Sequence, residues 1–288
     1  MCLKRLITIV MEVRRRKLPR PAPRQPAGPN EAQRTEQYLG RAKAPLAGKI
    51  ALVTGAAKRL GRAVALALAE EGANVIVHFS ASAAEAEATA RAIRRFRRKA
   101  WTVRADLADP AQAEGLLPEA ARSAGPVDYL VNSASVFAAS RLADFTPADL
   151  QANVQVNALS PLLLARALAA QQREAAVVNL LDARITDYDR EHAAYHLSKR
   201  MLHSLTKMMA LEFAPRVRVN AVAPGLILPP PGKDEAWLRK LSHTNPLRRI
   251  GSPEGVAAAV LFLLRSDFVT GQVIYVDGGR HLRGCVYG

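Results

Sequence analysis

Cysteine is scarce in this chain of 288 residues: there are two, Cys2 and Cys285, near opposite ends. A pair placed that way offers neither a disulfide framework nor the close ligand spacing of a zinc or iron–sulfur site. The six histidines are scattered rather than grouped, so no metal is expected. Long apolar runs are missing as well. Leu6-Ile-Thr-Ile-Val-Met11 is too short for a transmembrane span and for the core of a signal peptide. The expectations are therefore no membrane span and a cytoplasmic location.

Acidic residues are outnumbered, with 41 Lys and Arg against 25 Asp and Glu, a net charge of +16. Over half of that excess lies before Ile50, where 12 Lys/Arg meet 3 Glu. Arg14-Arg-Arg-Lys17 and Pro19-Arg-Pro-Ala-Pro-Arg-Gln-Pro26 are basic, Pro-rich and poor in apolar side chains, so residues 1–46 are expected to be a disordered extension. A polybasic tail can hold nucleic acid or an anionic surface weakly. A dispensable extension, or a translation start at Met11, is the simpler reading, and no specific nucleic-acid partner is expected.

Residues 47–288 read as one α/β domain, a length that can bury a large single core. Short aliphatic runs recur at Ile50–Thr54, Asn74–Phe79, Ala100–Arg104, Tyr129–Asn132, Ala176–Leu181, Arg218–Val222 and Val273–Val276. Between them lie six Ala/Leu-rich segments with helical periodicity, such as Ala83–Phe96 and Tyr195–Phe213. Continuous rather than alternating strands fit a sheet covered on both faces. The expected fold is a single Rossmann-type doubly wound domain: a seven-stranded, mostly parallel sheet with helices on both faces.

The first strand runs straight into Thr54-Gly-Ala-Ala-Lys-Arg-Leu-Gly61 and then a helical segment. In that context glycine lets the backbone approach a pyrophosphate, and the helix N-terminus offers it free N–H groups. An ordinary strand-to-helix turn with two glycines is the plainer alternative, and Arg59 stands where a middle glycine is usual. The second strand ends in His78, Phe79, Ser80, Ala81 and Ser82, without the carboxylate that would bond a bare ribose 2′-OH. With Lys58 and Arg59 in the loop before it, the pocket suits a 2′-phosphate. NADPH is the expected cofactor.

In His192-Ala-Ala-Tyr-His-Leu-Ser-Lys199, four residues of helix place Tyr195 and Lys199 on one face. An ammonium beside a phenol favours the phenolate and should draw the Tyr195 pKa from about 10 toward neutrality. Such a group suits proton donation to a C=O or C=N bond undergoing reduction. On a surface helix the same pair is inert.

Together, Thr54-Gly55…Gly61, Asn132-Ser-Ala-Ser135, Asn157, Tyr195-xxx-Lys199, Pro224-Gly225 and Asp277-Gly278-Gly279 resemble the short-chain dehydrogenase/reductase family, from about residue 47 to the C-terminus. The resemblance implies a Rossmann domain, commonly a homotetramer. It implies cofactor contacts at Gly55, Lys58, Arg59, Leu60, Gly61, His78, Ser80, Ser82, Asn132, Ala134, Pro224, Gly225 and Leu226. Asp106 and Leu107 would frame the adenine, Lys199 would bind the nicotinamide ribose, and Asn157 would hold a water that refills the Lys199 proton. A packing role is the alternative for Asn157.

The family pattern also implies Ser thirteen residues before the Tyr, where this sequence has Asp182. That departure, Arg59 in the loop and Asn132-Ser-Ala-Ser-Val-Phe137 resemble the pteridine reductase branch, including bacterial dihydromonapterin reductases. By that likeness Phe137 would stack on a pterin ring, Ser135 and Arg59 would touch cofactor phosphate and substrate, and Asp182 would face the pterin. A carboxylate there would repel a developing oxyanion. It would accept hydrogen bonds from N–H groups or, its pKa raised by burial, protonate an imine nitrogen. Capping the following turn is the alternative for Asp182. The expected activity is reduction of a C=N bond in a dihydropterin such as dihydromonapterin, dihydrobiopterin or dihydrofolate. A 3-oxoacyl or ketone reductase, or a non-catalytic NADPH-binding regulator, stays open. Within Leu226-Ile-Leu-Pro-Pro-Pro-Gly-Lys-Asp-Glu235 three prolines stiffen a substrate loop, and Trp237 and Leu238 are more simply packing residues than a lid. Arg280, His281 and Arg283 either reach a neighbouring subunit's site or are solvated.

Overall fold

Strands with no polar face must be buried on both sides, and this sheet is. The computed structural model describes residues 45–187, 189–230 and 232–282. Its strands are β1 Ile50–Val53, β2 Asn74–Phe79, β3 Ala100–Arg104, β4 Tyr129–Asn132, β5 Ala175–Leu180, β6 Val217–Pro224 and β7 Val273–Val276. They form one sheet in the order β3-β2-β1-β4-β5-β6-β7, and every pairing is parallel rather than mostly so. The order reverses between β1 and β4, the switch point outside which ligands bind in such sheets.

The helices are α1 Arg59–Glu70, α2 Ala83–Arg95, α3 Pro110–Ala124, α4 Pro147–Val154, α5 Ser160–Ala169, α6 Ala193–Glu212, α7 Glu235–Lys240 and α8 Pro253–Arg265. On one face Val64 and Leu68 of α1 and Val256, Val260 and Leu264 of α8 pack with Val53, Val77 and Val131. On the other, Leu116 of α3, Leu164 and Leu168 of α5 and Met209 of α6 pack with Leu52, Ile76 and Leu130. Alternate residues of one strand thus feed opposite cores. Leu46 is already part of the core, its N–H bonded to the Glu71 carbonyl at 2.9 Å. Residues 1–44 of the expected basic extension, both cysteines and Arg283 lie outside the described residues.

One feature of the β4–β5 crossover was not foreseen. Pro161 has no N–H to give the carbonyl four residues earlier, that of Asn157. The helix widens there into a π turn, Gln155–Leu159, with the Ser160 N–H bonded to the Gln155 carbonyl. Such turns recur at functional sites. Among the described residues no helix is long and apolar enough to cross a membrane.

Candidate active site

Tyr195 and Lys199 lie in the first two turns of α6, both buried, beneath the carboxyl end of β5. The Tyr195 hydroxyl donates to Oδ2 of Asp182 at 2.9 Å. The other carboxylate oxygen, Oδ1, accepts the Arg184 N–H at 2.7 Å, so Asp182 also caps the short turn Ala183–Thr186. Asp182 is thus both the cap of this turn and the hydrogen-bond partner of Tyr195. Asp182 itself is half-buried.

The Lys199 ammonium donates to the Leu180 carbonyl at 2.8 Å and sits 5.7 Å from the Tyr195 ring centroid. Burial pushes its pKa down to about 8, against the pull of the Asp182 charge. The expectation for Tyr195 is overturned in this arrangement. Burial first, then the charge and hydrogen bond of Asp182, hold the phenol well above its usual value. A carboxylate in contact outweighs an ammonium that is spent on a backbone carbonyl. Tyr195 is a protonated acid rather than a phenolate.

The segment after β4 is brought onto this pair by contacts with the start of α6. Ser140 N–H donates to the Glu191 carbonyl at 2.6 Å, the Ser140 carbonyl accepts from Ala193 at 2.8 Å, and Ser140 Oγ accepts the Ala194 N–H at 3.1 Å. Phe137 therefore stands edge-on to Tyr195, ring centroids 4.7 Å apart. It is also stacked on His192 at 3.8 Å, and His192 is fixed by Asp189 at 3.0 Å. One face of Phe137 is thus covered by the chain itself, which leaves the other for a substrate ring. His192 completes an aromatic wall that sequence reasoning missed.

Asn157 is fully buried and does not present its amide to a water. Its oxygen accepts from Val136 N–H at 2.9 Å and Ser135 Oγ at 3.0 Å. Its nitrogen donates to the Val136 carbonyl and to Ser198 Oγ, both at 3.0 Å. The expected water-holding role gives way to one of fixing the Ser135–Phe137 loop against α6.

The glycine loop lies across the carboxyl ends of β1 and β4. Gly55 has φ 63°, and a Cβ there would meet Ala134 Cα at 2.9 Å. A Cβ on Gly61 would fall 2.3 Å from the Gly55 carbonyl oxygen. Thr54 Oγ1 accepts the N–H groups of Ser133 and Ala134 at 2.9 and 3.0 Å, tying the two loops together. Asn132 is buried, its amide nitrogen donating to Asn179 Oδ1 at 2.8 Å. Pro224 and Gly225 end β6, and a Gly225 Cβ would touch Ala183 and Asp277 Cβ atoms at 2.8 Å. Leu226, at φ 54°, is buried.

His78 is corrected more sharply. It is buried, and burial lowers its pKa to about 4, so the ring is neutral at physiological pH. Nδ1 accepts the Gly55 N–H at 3.1 Å, which leaves Nε2 protonated and donating to the Ala105 carbonyl at 3.1 Å. It positions the glycine loop and brings no charge to a phosphate. His78→Leu strands the partly buried Gly55 N–H and the buried Ala105 carbonyl, at up to about 1–3 kcal/mol each. The expected result is a lower Tm together with weaker dinucleotide binding by titration.

The remaining residues of the groove divide. Ser80 is exposed at its rim, and Ser82 begins α2 without using its hydroxyl as a cap. Lys58 is paired with Glu85 at 2.7 Å, an exposed contact that holds the Glu85 carboxyl below its usual range and that a phosphate can displace. Arg59 donates to the Pro229 carbonyl at 2.7 Å, joining the glycine loop to the proline-rich loop after β6. Arg104, which sequence reasoning missed, donates to the Ser80 carbonyl at 3.2 Å and adds a cation beside the second strand. Leu60 packs against the core. Asp106 is exposed, whereas Leu107 is buried and its carbonyl taken by Gln155 and Ser160. Leu238 of α7 is buried, and Trp237 beside it is half-exposed.

Residues 55–281 match the family described as enoyl-(acyl carrier protein) reductase. The chain belongs to the short-chain dehydrogenase/reductase family. An uncharacterized oxidoreductase of Methylorubrum extorquens is 35% identical over 244 residues, 81% of this chain and 98% of that protein. Among solved structures, the alternative dihydrofolate reductase FolM of Brucella canis, complexed with NADP, is 32% identical with a TM-score of 0.78, covering 84% of this chain and 96% of that one. The angucycline C-6 ketoreductase LanV, with bound NADP, is 29% identical with a TM-score of 0.75, covering 82% and 97%.

As an oxidoreductase of this family, the chain is built to hold a dinucleotide at the switch point, and its residues fit one. The first turn of α1 has neither a side-chain cap nor an acidic residue, so its N–H groups and positive dipole end are left for an anion. The side chains that would crowd that anion are absent at Gly55 and Gly61.

Proposed function

We propose that this chain is an NADPH-dependent reductase of a C=N bond in a dihydropterin. The observation that carries the reading is the 2.9 Å contact of the Tyr195 hydroxyl with Asp182, a carboxylate where a ketone would want a neutral donor. Charge developing on a carbonyl oxygen about 4 Å from a carboxylate is disfavoured by roughly 1–4 kcal/mol, depending on local dielectric. An imine nitrogen develops basicity instead, and the ring N–H and amino groups of a pterin are donors that a carboxylate accepts. Similarity to the FolM alternative dihydrofolate reductase supports the same substrate class.

NADPH, when bound, supplies the hydride. The chain's own residues manage the proton. Tyr195, held protonated, gives its hydrogen to the substrate nitrogen, and Asp182 turns from accepting that hydrogen to orienting the substrate. Lys199 binds the ribose hydroxyls and is the nearest buried cation to restore the proton. Phe137, fixed from behind by His192, presents its free face to the planar ring. Ser80, Ser82, Lys58, Arg59 and Arg104 supply hydroxyls and cations for a 2′-phosphate. The exposed row Leu197, Met201, Met208 and Leu211 on α6 suits association between copies, in line with a tetramer.

The pH dependence follows from Lys199. As pH rises through about 8 the ammonium is lost, and turnover is expected to fall. Stability moves the other way. An unfolded lysine keeps its proton to its ordinary 10.5, so between these values the unfolded chain binds more protons and the Lys199 contribution to stability rises with pH. Turnover and Tm recorded over that window should separate; a Tm falling in step with turnover would assign the loss to unfolding.

NADPH oxidation by the purified protein with 7,8-dihydromonapterin, dihydrofolate and an acetoacetyl thioester tests the reading. Turnover of a pterin is expected. Turnover of the thioester alone would replace it with ketone reduction, the activity named for LanV.

A further inference from the structure

The turn after β7 places a cation at the candidate site that the reaction itself does not use. Asp277 fixes this turn with both oxygens. Oδ1 accepts the Gly279 N–H at 2.9 Å, and Oδ2 accepts the His281 N–H at 2.7 Å and faces His281 Nδ1 at 2.8 Å. His281 is held in turn by stacking on Tyr275, ring centroids 3.8 Å apart. The residue between them is Arg280. Its turn, Arg280–Leu282, packs against the turn Ala183–Thr186 that Asp182 caps. The sequence left open whether Arg280 serves a neighbouring copy's site; the fold places it beside the site of its own chain.

Arg280 is half-buried, and its guanidinium makes no hydrogen bond or ion pair among the described residues. Asp277 is spent on the turn, and Asp182 on Arg184 N–H and Tyr195. Burial, followed by the like charge of Arg184, lowers the Arg280 pKa, while Asp182, Asp187 and Asp277 act to raise it. Arg184 is engaged with Asp187 and Asp189 at 3.4 and 3.5 Å. A desolvated guanidinium without a partner is costly, and an anion that meets it with two oxygens gains a bidentate, charge-assisted pair.

We propose that Arg280 binds a carboxylate on the side chain of the substrate, so that the site favours a dihydropterin with an acidic tail, of the dihydrofolate kind, over one with a neutral polyhydroxyl tail. This rests on the pterin reading and narrows it. The planar ring lies between Phe137 and the cofactor groove, its N5=C6 edge toward Tyr195 and Asp182, and the tail on C6 leaves past the Ala183–Thr186 turn toward Arg280.

The test compares dihydrofolate with 7,8-dihydromonapterin in the wild type, Arg280→Met and Arg280→Lys, with Tm and NADPH affinity measured on each. The wild type is expected to show the lower KM for dihydrofolate. Arg280→Met should raise that KM about tenfold or more, the factor that 1.4 kcal/mol represents, and leave the monapterin KM within about twofold. Arg280→Lys should recover part of the loss. Equal losses on both substrates would overturn the inference by making Arg280 a support for Asp182, and a loss in NADPH affinity would do so by making it a cofactor ligand. A wild type that prefers the neutral pterin overturns it even if the variants fail to fold, while pterin reduction itself stands. A wild type that reduces neither pterin removes the underlying reading as well.

Discussion

Asp182→Ser is expected to lower dihydropterin turnover by about 100-fold or more, the range of a lost acid–base group, and to leave NADPH affinity within about twofold. The fold should tolerate the change, because a serine oxygen can still cap the Arg184 N–H that Asp182 now accepts at 2.7 Å. What goes is the charge. Asp182 is second only to burial among the causes holding the Tyr195 phenol up, and it is what opposes the fall of the Lys199 pKa. In the variant both groups titrate lower, and the site changes from one that accepts N–H donors to one that donates to an oxyanion. Reduction of a ketone or thioester should rise in relative terms as pterin turnover drops. Steady-state kinetics on both substrates, with dinucleotide titration, decides it; losses of equal size in turnover and NADPH affinity would show that Asp182 supports the groove rather than the substrate.

Gly61→Ala has the largest effect expected in the cofactor groove. The added methyl carbon meets the Gly55 carbonyl oxygen at 2.3 Å, the Gly55 carbonyl carbon at 2.8 Å and Ala56 Cα at 3.1 Å. All three are backbone, so no side chain can swing aside, and α1 must move away from the loop it seats. Overpacking of this kind costs about 1–3 kcal/mol of stability. The displaced helix end then no longer aims its N–H groups at a phosphate. NADPH affinity should drop more than tenfold, with a lower Tm. A variant with unchanged affinity would show that the dinucleotide lies elsewhere.

The fold was legible because its signals are local. Each strand is an uninterrupted aliphatic run, and six of the seven lie within one residue of their expected bounds, β6 starting a residue early and running on two residues to Pro224. The nearness of Asp182 to Tyr195 was legible through the family resemblance, which implies a site residue thirteen positions before the Tyr. What escaped depends on contacts between distant segments. His78 reads as a cofactor contact in the sequence, and only its burial between Gly55 and Ala105 makes it a neutral support of the glycine loop. Glu85 stands three residues beyond Ser82, and the first turn of α2 returns it to Lys58. Arg104 reaches the pocket because β3 lies beside β2. The raised Tyr195 pKa comes from burial and from the carboxylates Asp182 and Asp189, none of which the spacing of Tyr and Lys states. The π turn at Asn157 did have a local signal in Pro161, four residues on.

A solved complex with NADPH and a dihydropterin measures the central relation directly, namely where the carboxylate of residue 182 lies. The expected result is an Asp182 oxygen within hydrogen-bond distance of a pterin N–H, or one water away, with the Tyr195 hydroxyl at the ring nitrogen to be protonated. A carboxylate turned from the cavity and still occupied with the Arg184 N–H alone, the pterin ring beyond the reach of a bridging water, would contradict it.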